Sequence, residues 1–436
     1  MRAEERVSST IQTIRGDGFL RMIRDSNPTA FTRKRKVTAE WITFGILNSR
    51  GLTQKMELRK YQQMTGKKTE ISQWGYTKAR LKIHPKVFDW LNQEYLHMYY
   101  CEDNEQLQTF KGYIPTAIDG SDIHLPSSPE TQSKYGDSNA RSDYPVVMGS
   151  ASCAYDVINH MILDACLNKY KHCERDSART HIRNIGERYP QEHIYIFDRG
   201  YPSAEFLMEL IDQELYFLFR LGGKTFQREQ KALSSEDEWI DICFDQTRMN
   251  PYRGTSLYEK MAERGKLHLR MVRIELAEDV QQVLLTNLPD DTFPLEDLKT
   301  LYHLRWDIET VYNTLKSKMQ LENFSGKLPQ IIEQDFFVTI YLYNLISDIQ
   351  QQSMLDAEKK KTKHEMKPNE NMAIGIVKDN LVRMALEEDG NKRAEIFSGI
   401  IEEIKRYRVP IRPERNYKRT TAVRKTKYSQ YYKSSY

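Results

Sequence analysis

Hydrophobic positions follow two different rhythms along this chain. In the first hundred residues they recur at helical spacing. Trp41, Ile42, Ile46 and Leu47 follow Thr38, whose side chain suits a helix cap with the helix beginning at Ala39. Thr53–Met64 is amphipathic, a Thr-Gly-Lys-Lys turn follows it, and residues 70–80 predict a second helix. From residue 106 onward, short apolar runs bounded by turn residues take over, the pattern of central strands. These runs are Tyr113, Ile114, Ala117 and Ile118; then Val146–Ser152, Ile158–Ala165, Ile194–Phe197 and Tyr216–Leu221. Helices are predicted between them over Arg175–Arg188 and Ala204–Leu215, and Gly222-Gly223 breaks the series.

Beyond the break, Trp239–Phe244, Lys266–Leu276 and Val280–Leu288 again have strand character. Pro294 suits the first turn of a helix running through Leu295–Tyr302, and Gln330–Ile349 reads as an apolar core helix. A polar linker precedes two further helices, near Met372–Leu386 and Ile396–Tyr407. The predicted organisation is therefore multidomain α/β. A helical domain over 1–105 precedes a mixed-sheet core over 106–221, a β-rich insertion over 222–290, the rest of the core over 291–345, and a helical region with a basic tail over 346–436.

Composition narrows the function classes. The net charge of +4 on 436 residues is a weak pointer to nucleic acid, but its distribution is sharper. Residues 411–436 carry eight Lys/Arg against one acid, with five tyrosines interleaved, a composition suited to phosphates and base stacking and equally that of a solvated tail. Arg33-Lys34-Arg35-Lys36 is a second basic run. Five cysteines without a C-x2-C pair indicate neither a disulfide framework nor a zinc site. Without a secretory signal or an apolar run near the ~20 residues of a membrane span, the expectation is a cytoplasmic, nucleoid-associated protein with no membrane partner.

The candidate chemistry lies in three places. Asp119 closes the first strand run in Ile-Asp-Gly-Ser, and Asp198 closes another in Ile-Phe-Asp-Arg-Gly-Tyr. The third is Tyr302-x2-Arg305-x3-Glu309-x6-Lys316, whose four members fall within roughly 60° on one uninterrupted helix. Two strand carboxylates and one helix carboxylate suit Mg²⁺, which takes oxygen ligands and completes its shell with water and phosphate. Two such ions about 3.5–4 Å apart can activate water and stabilise a leaving 3′ oxygen. Gly120 predicts that the strand stops near Asp119, which is preferred over Asp122 as the ligand; Asp307 lies about 160° from Glu309 at helical pitch. Trp306 is expected in the core, and Arg199 is expected either on DNA or in a core ion pair.

These residues resemble the DDE triad and YREK signature of bacterial insertion-sequence transposases of the "insertion sequence four" group. The resemblance runs over roughly residues 105–345, and the long gap of 111 residues between Asp198 and Glu309 is like that group's β-rich insertion. It implies an RNase H-like catalytic core in which Asp119, Asp198 and Glu309 bind two Mg²⁺ ions, with Mn²⁺ able to substitute. It further implies metal-dependent cleavage at transposon inverted-repeat ends and 3′-OH transfer into target DNA, by a homodimer in the synaptic complex. Tyr302, Arg305 and Lys316 would clamp phosphates, and the N-terminal region would read the ends. In that region Ser72, Lys78 and Arg80 are the candidate DNA contacts, on a segment compatible with a helix-turn-helix or a plain helical bundle.

Overall fold

The structure is a computed structural model of the chain and describes residues 1–33, 37–66, 71–101, 104–138, 146–277, 280–355 and 364–411. The basic tail and most of the Arg33–Lys36 run lie outside the described residues. Six helices come first: α1 (Ala3–Arg15), α2 (Asp17–Ser26), α3 (Ala39–Leu47), α4 (Gln54–Met64), α5 (Gln73–Arg80) and α6 (Lys86–Tyr100). Thr38 caps α3 as expected, its hydroxyl accepting from Trp41 N at 3.1 Å. Gly45 is required where α3 meets its neighbours, since a Cβ there would lie 2.9 Å from the Tyr76 hydroxyl and 3.0 Å from the Tyr61 ring.

The core begins with β1 (Ile114–His124), α7 (Pro129–Tyr135), β2 (Asp137–Ser138), β3 (Val146–Asp156) and β4 (Met161–Lys169). It continues with α8 (Glu174–Arg188), β5 (His193–Phe197), α9 (Ala204–Asp212) and β6 (Tyr216–Arg220). β3 pairs antiparallel with β1 and β4, while β1, β5 and β6 run parallel. The order β4-β3-β1-β5-β6 is that of the expected RNase H-like core.

Several boundaries differ from expectation, two of them for a visible physical reason. β1 runs through Gly120 to His124 because residues 120–124 stay in register with β3 from Ser152 to Met148. β4 starts at Met161 rather than Ile158, because Asp156 closes a turn there: its carboxylate accepts from Ile158 N (3.0 Å) and Asn159 N (2.9 Å).

The segment 222–290 supplies α10 (Gln227–Ala232), β7 (Asp237–Cys243), α11 (Gln246–Met249), α12 (Ser256–Arg264), β8 (Lys266–Ala277) and β9 (Val280–Thr286). Its strands extend the core sheet, because β9 pairs with β6 and then with β8. Next come α13 (Leu295–Leu304), α14 (Asp307–Asn313), a π-helical turn (Thr314–Lys318) and α15 (Pro329–Leu355). The chain closes with β10 (Met366–Pro368), α16 (Glu370–Leu386), α17 (Gly390–Arg406) and β11 (Arg408–Pro410).

Alternation along the strands sorts the core into two faces. Ala117 and Ile123 pack with α14 and α15, whereas Ile114 and Ile118 pack with α8 and α9. The N-terminal helices are tied to α15 by the buried Arg6–Asp348 ion pair at 2.6 Å, with Tyr95 donating to the same carboxylate at 2.6 Å. Among the described residues no helix is long and apolar enough to cross a membrane.

Candidate active site

Asp119 sits in the middle of β1, where the ladder to β3 places it opposite Cys153, two residues past the end of the pairing with β5. By alternation its side chain leaves the sheet on the α14 side with Ala117. Asp198 follows the last residue of β5, the strand parallel to β1, so the two aspartates share one end of the sheet. Glu309 lies in the first turn of α14, where a carboxylate suits the helix dipole. α14 is itself pinned to β1: the Tyr312 hydroxyl donates to the Asp119 carbonyl at 2.9 Å, a contact that spacing did not signal.

The Tyr302–Lys316 stretch is not the single helix expected. It breaks at Arg305-Trp306 and ends in the π-helical turn, which moves Lys316 out of phase with Glu309. The four residues nevertheless converge on the aspartates. Tyr302 donates to Asp198 Oδ1 at 3.2 Å, and Arg305 stands 3.8 Å from Asp119 Oδ2 and 3.4 Å from Glu309 Oε1. Lys316 donates to Ser121 Oγ and the Asp122 carbonyl, both at 2.6 Å. Arg220, unsignalled in the sequence, lies 3.8 Å from Asp198 Oδ1.

Arg305 is 1 % exposed and Tyr302 is 4 % exposed, and both face the carboxylates. Trp306, expected in the core, is 39 % exposed and lies under the Arg305 guanidinium, 5.2 Å from its ring centroid. Asp122 accepts from Ser150 Oγ at 2.9 Å, and Asp307 faces His160, His303 and Lys367 instead of the aspartates.

Electrostatics mark the same cluster. Burial pushes the Asp119 carboxyl up to about 6; the Gly120 N–H and Arg305 oppose the rise, and Glu174 and Asp198 add to it. Among the described residues no three His, Cys, Asp or Glu side chains stand at ligand spacing. The donor chemistry still fits a hard cation. Only carboxylate oxygens converge here, and a guanidinium already lies between two of them. The buried Tyr201 hydroxyl and Arg305 Nε have no hydrogen-bond partner, so the cluster has polar capacity left over.

In the N-terminal helices the three candidate DNA contacts separate. Ser72 caps α5, accepting from Gly75 N at 3.1 Å, and is exposed. Lys78 is exposed and stacks over Trp74, which is itself 72 % exposed. Arg80 faces inward: at 2 % exposure it bonds Gln334 Oε1 and Asp335 Oδ1, both at 2.6 Å, and so fastens α5 to α15. The Arg80 guanidinium thus faces the protein interior.

A family model described as "Transposase DDE domain" matches residues 111–345, more than half of the chain. The chain belongs to this DDE transposase family. Its match to the transposase InsG of insertion sequence element IS4 from Escherichia coli K12 is 22 % identical over 242 residues, 54 % of this chain and 52 % of that one. The putative transposase InsL of IS186A, from the same organism, is 36 % identical over 86 residues, covering 20 % and 23 %. The putative transposase y4zB of Sinorhizobium fredii is 24 % identical over 156 residues, covering 35 % and 41 %. The matched stretches thus span about half or less of these relatives. A solved structure of the piggyBac transposase synaptic complex with hairpin DNA aligns at a TM-score of 0.44 and 9 % identity, over 85 % of this chain and 79 % of that one.

Proposed function

We propose that this family member is an insertion-sequence DNA transposase, cutting at the inverted-repeat ends of its element and transferring the resulting 3′-OH into target DNA. The observation that carries this reading is the convergence of Asp119, Asp198 and Glu309, from two parallel strands and one helix, around Arg305 and Tyr302. In this reading the three carboxylates hold two Mg²⁺ ions, with Mn²⁺ able to replace them. Bound there, the ions supply activation of water and charge stabilisation at the leaving 3′ oxygen.

The chain's own groups have distinct tasks. β1 holds Asp119 rigidly, and Tyr302 orients Asp198 through its hydroxyl. Arg305 offsets the repulsion between Asp119 and Glu309, which keeps the carboxylates together before DNA arrives. Glu309, with its side chain 41 % exposed, has room to change rotamer toward a bound cation. Lys316, half-buried and fastened beside Asp119 by Ser121, is the ammonium best placed for a phosphate next to the cleaved bond. Ser72, Lys78 and Trp74 form the exposed part of α5 that would meet the transposon end. Joining two ends requires two copies of the chain on DNA, so the working complex is a homodimer.

A gel-shift assay paired with a cleavage assay on DNA flanking the gene tests the site assignment. Glu309→Gln is expected to bind the ends and leave them uncut. Cleavage by that variant at the wild-type rate would overturn the assignment.

A further inference from the structure

A fourth carboxylate approaches the aspartates from the opposite side of the sheet. Glu174 opens α8, the helix packed beneath β1, and its side chain reaches up toward two glycines. A methyl group on Gly120, next to Asp119, would lie 3.5 Å from Glu174 Oε1. One on Gly200, two residues past Asp198, would lie 3.3 Å from Glu174 Oε2. Glycine at both places leaves room for the Glu174 carboxylate against the backbone beside the two aspartates.

A cluster of acids alone would be a solvated patch. The second observation is Tyr201. Its ring is buried at 1 % exposure against Phe197, and its hydroxyl makes no hydrogen bond. Asp119, Glu174 and Asp198 all act on this phenol, as does the Cys166 thiol. A buried hydroxyl without a partner is destabilising, so its retention points to something that completes the site. A hydrated divalent cation would do so: its water meets the phenol, and its charge offsets the crowded carboxylates. Mg²⁺ keeps much of its hydration shell and commonly meets acids through it.

We propose that Glu174 is a fourth carboxylate of the divalent-cation site, acting through the ion's hydration shell, with the Tyr201 hydroxyl turned onto the same water. This rests on the reading of Asp119, Asp198 and Glu309 given above. Glu174 thereby holds the ion's water and shares in its affinity, while Gly120 and Gly200 leave its carboxylate room.

The test is Mn²⁺ binding to the full-length protein without DNA, followed by the electron paramagnetic resonance signal of free Mn²⁺, with metal-free melting curves alongside. Glu174→Gln is expected to raise the Mn²⁺ dissociation constant about tenfold or more. Its metal-free melting temperature should equal or exceed that of the wild type, because one of several like charges is gone. Tyr201→Phe should bind Mn²⁺ more weakly and melt no lower. Glu259→Gln, on the exposed face of α12, should change neither reading. If Asp119→Asn weakens Mn²⁺ binding and Glu174→Gln leaves it unchanged, the role of Glu174 is overturned and the triad stands. If Asp119→Asn also leaves binding unchanged, the metal reading of the triad falls and the role of Glu174 falls with it.

Discussion

Replacing His181 with leucine probes the scaffold behind the first aspartate. His181 is fully buried on α8 and bonds Asp164 Oδ2 at 2.6 Å through Nδ1 and Ser152 Oγ at 3.0 Å through Nε2. Ser152 Oγ in turn donates to the Asp119 carbonyl at 3.3 Å. Burial alone would lower the His181 pKa, but the contacts with Asp164 and, after it, Cys166 override it and raise the value from 6.5 to about 9. That displacement corresponds to about 3 kcal/mol of folding stability, in the range for a broken buried ion pair.

The sign follows from a folded pKa above the unfolded one. The contribution is complete below pH 6.5 and is lost as pH rises through about 9. Urea unfolding of wild type and His181→Leu should therefore show a stability gap that narrows by about 3 kcal/mol between pH 6 and pH 10. Leucine at both 181 and 164 should recover part of the loss, since Arg188, the other ion-pair partner of Asp164, is partly exposed and can turn to water. A gap that does not vary with pH would refute a charged His181.

Three other outcomes follow from the geometry. Arg80→Ala should cost about 1–3 kcal/mol in urea unfolding, because Gln334 and Asp335 lose the guanidinium while Ser325 still bonds Asp335, whereas a surface arginine would cost under about 1 kcal/mol. Trp74→Ala and Lys78→Ala should each change stability by no more than about 0.5 kcal/mol yet weaken binding to the transposon end in a gel shift. Asp119 is held above the usual carboxylate range, so its contribution is complete at acid pH and is lost as pH rises through about 6. Asp119→Asn should therefore be more stable than wild type in EDTA at pH 8, by up to about 3 kcal/mol, and the advantage should shrink by pH 4.

Much of this was legible because local patterns carried it. The apolar runs ending at Asp119 and Asp198 announced the parallel strands, and Thr38 announced its helix. What stayed hidden depended on pairing and burial. Gly120 reads as a strand end, yet β3 pairs across it and the strand continues. Helical phase put Tyr302, Arg305, Glu309 and Lys316 on one face, whereas a break and a π-helical turn bring them to the aspartates by another route. Arg80 shares its exposed helix with Lys78, and only the packing of α15 shows that it points inward. Glu174 carries no spacing signal, because only the fold sets α8 beside Gly120 and Gly200.

The central claim is that three converging carboxylates cut and join DNA with a divalent metal. Purified protein, labelled duplex carrying the DNA that flanks its gene, and a target plasmid, with Mg²⁺ or EDTA, test it directly. The account predicts metal-dependent 3′-OH ends that become joined to the plasmid and are absent with Asp119→Asn. Cutting that persists in EDTA, or cutting and joining by Asp119→Asn at the wild-type level, would contradict it.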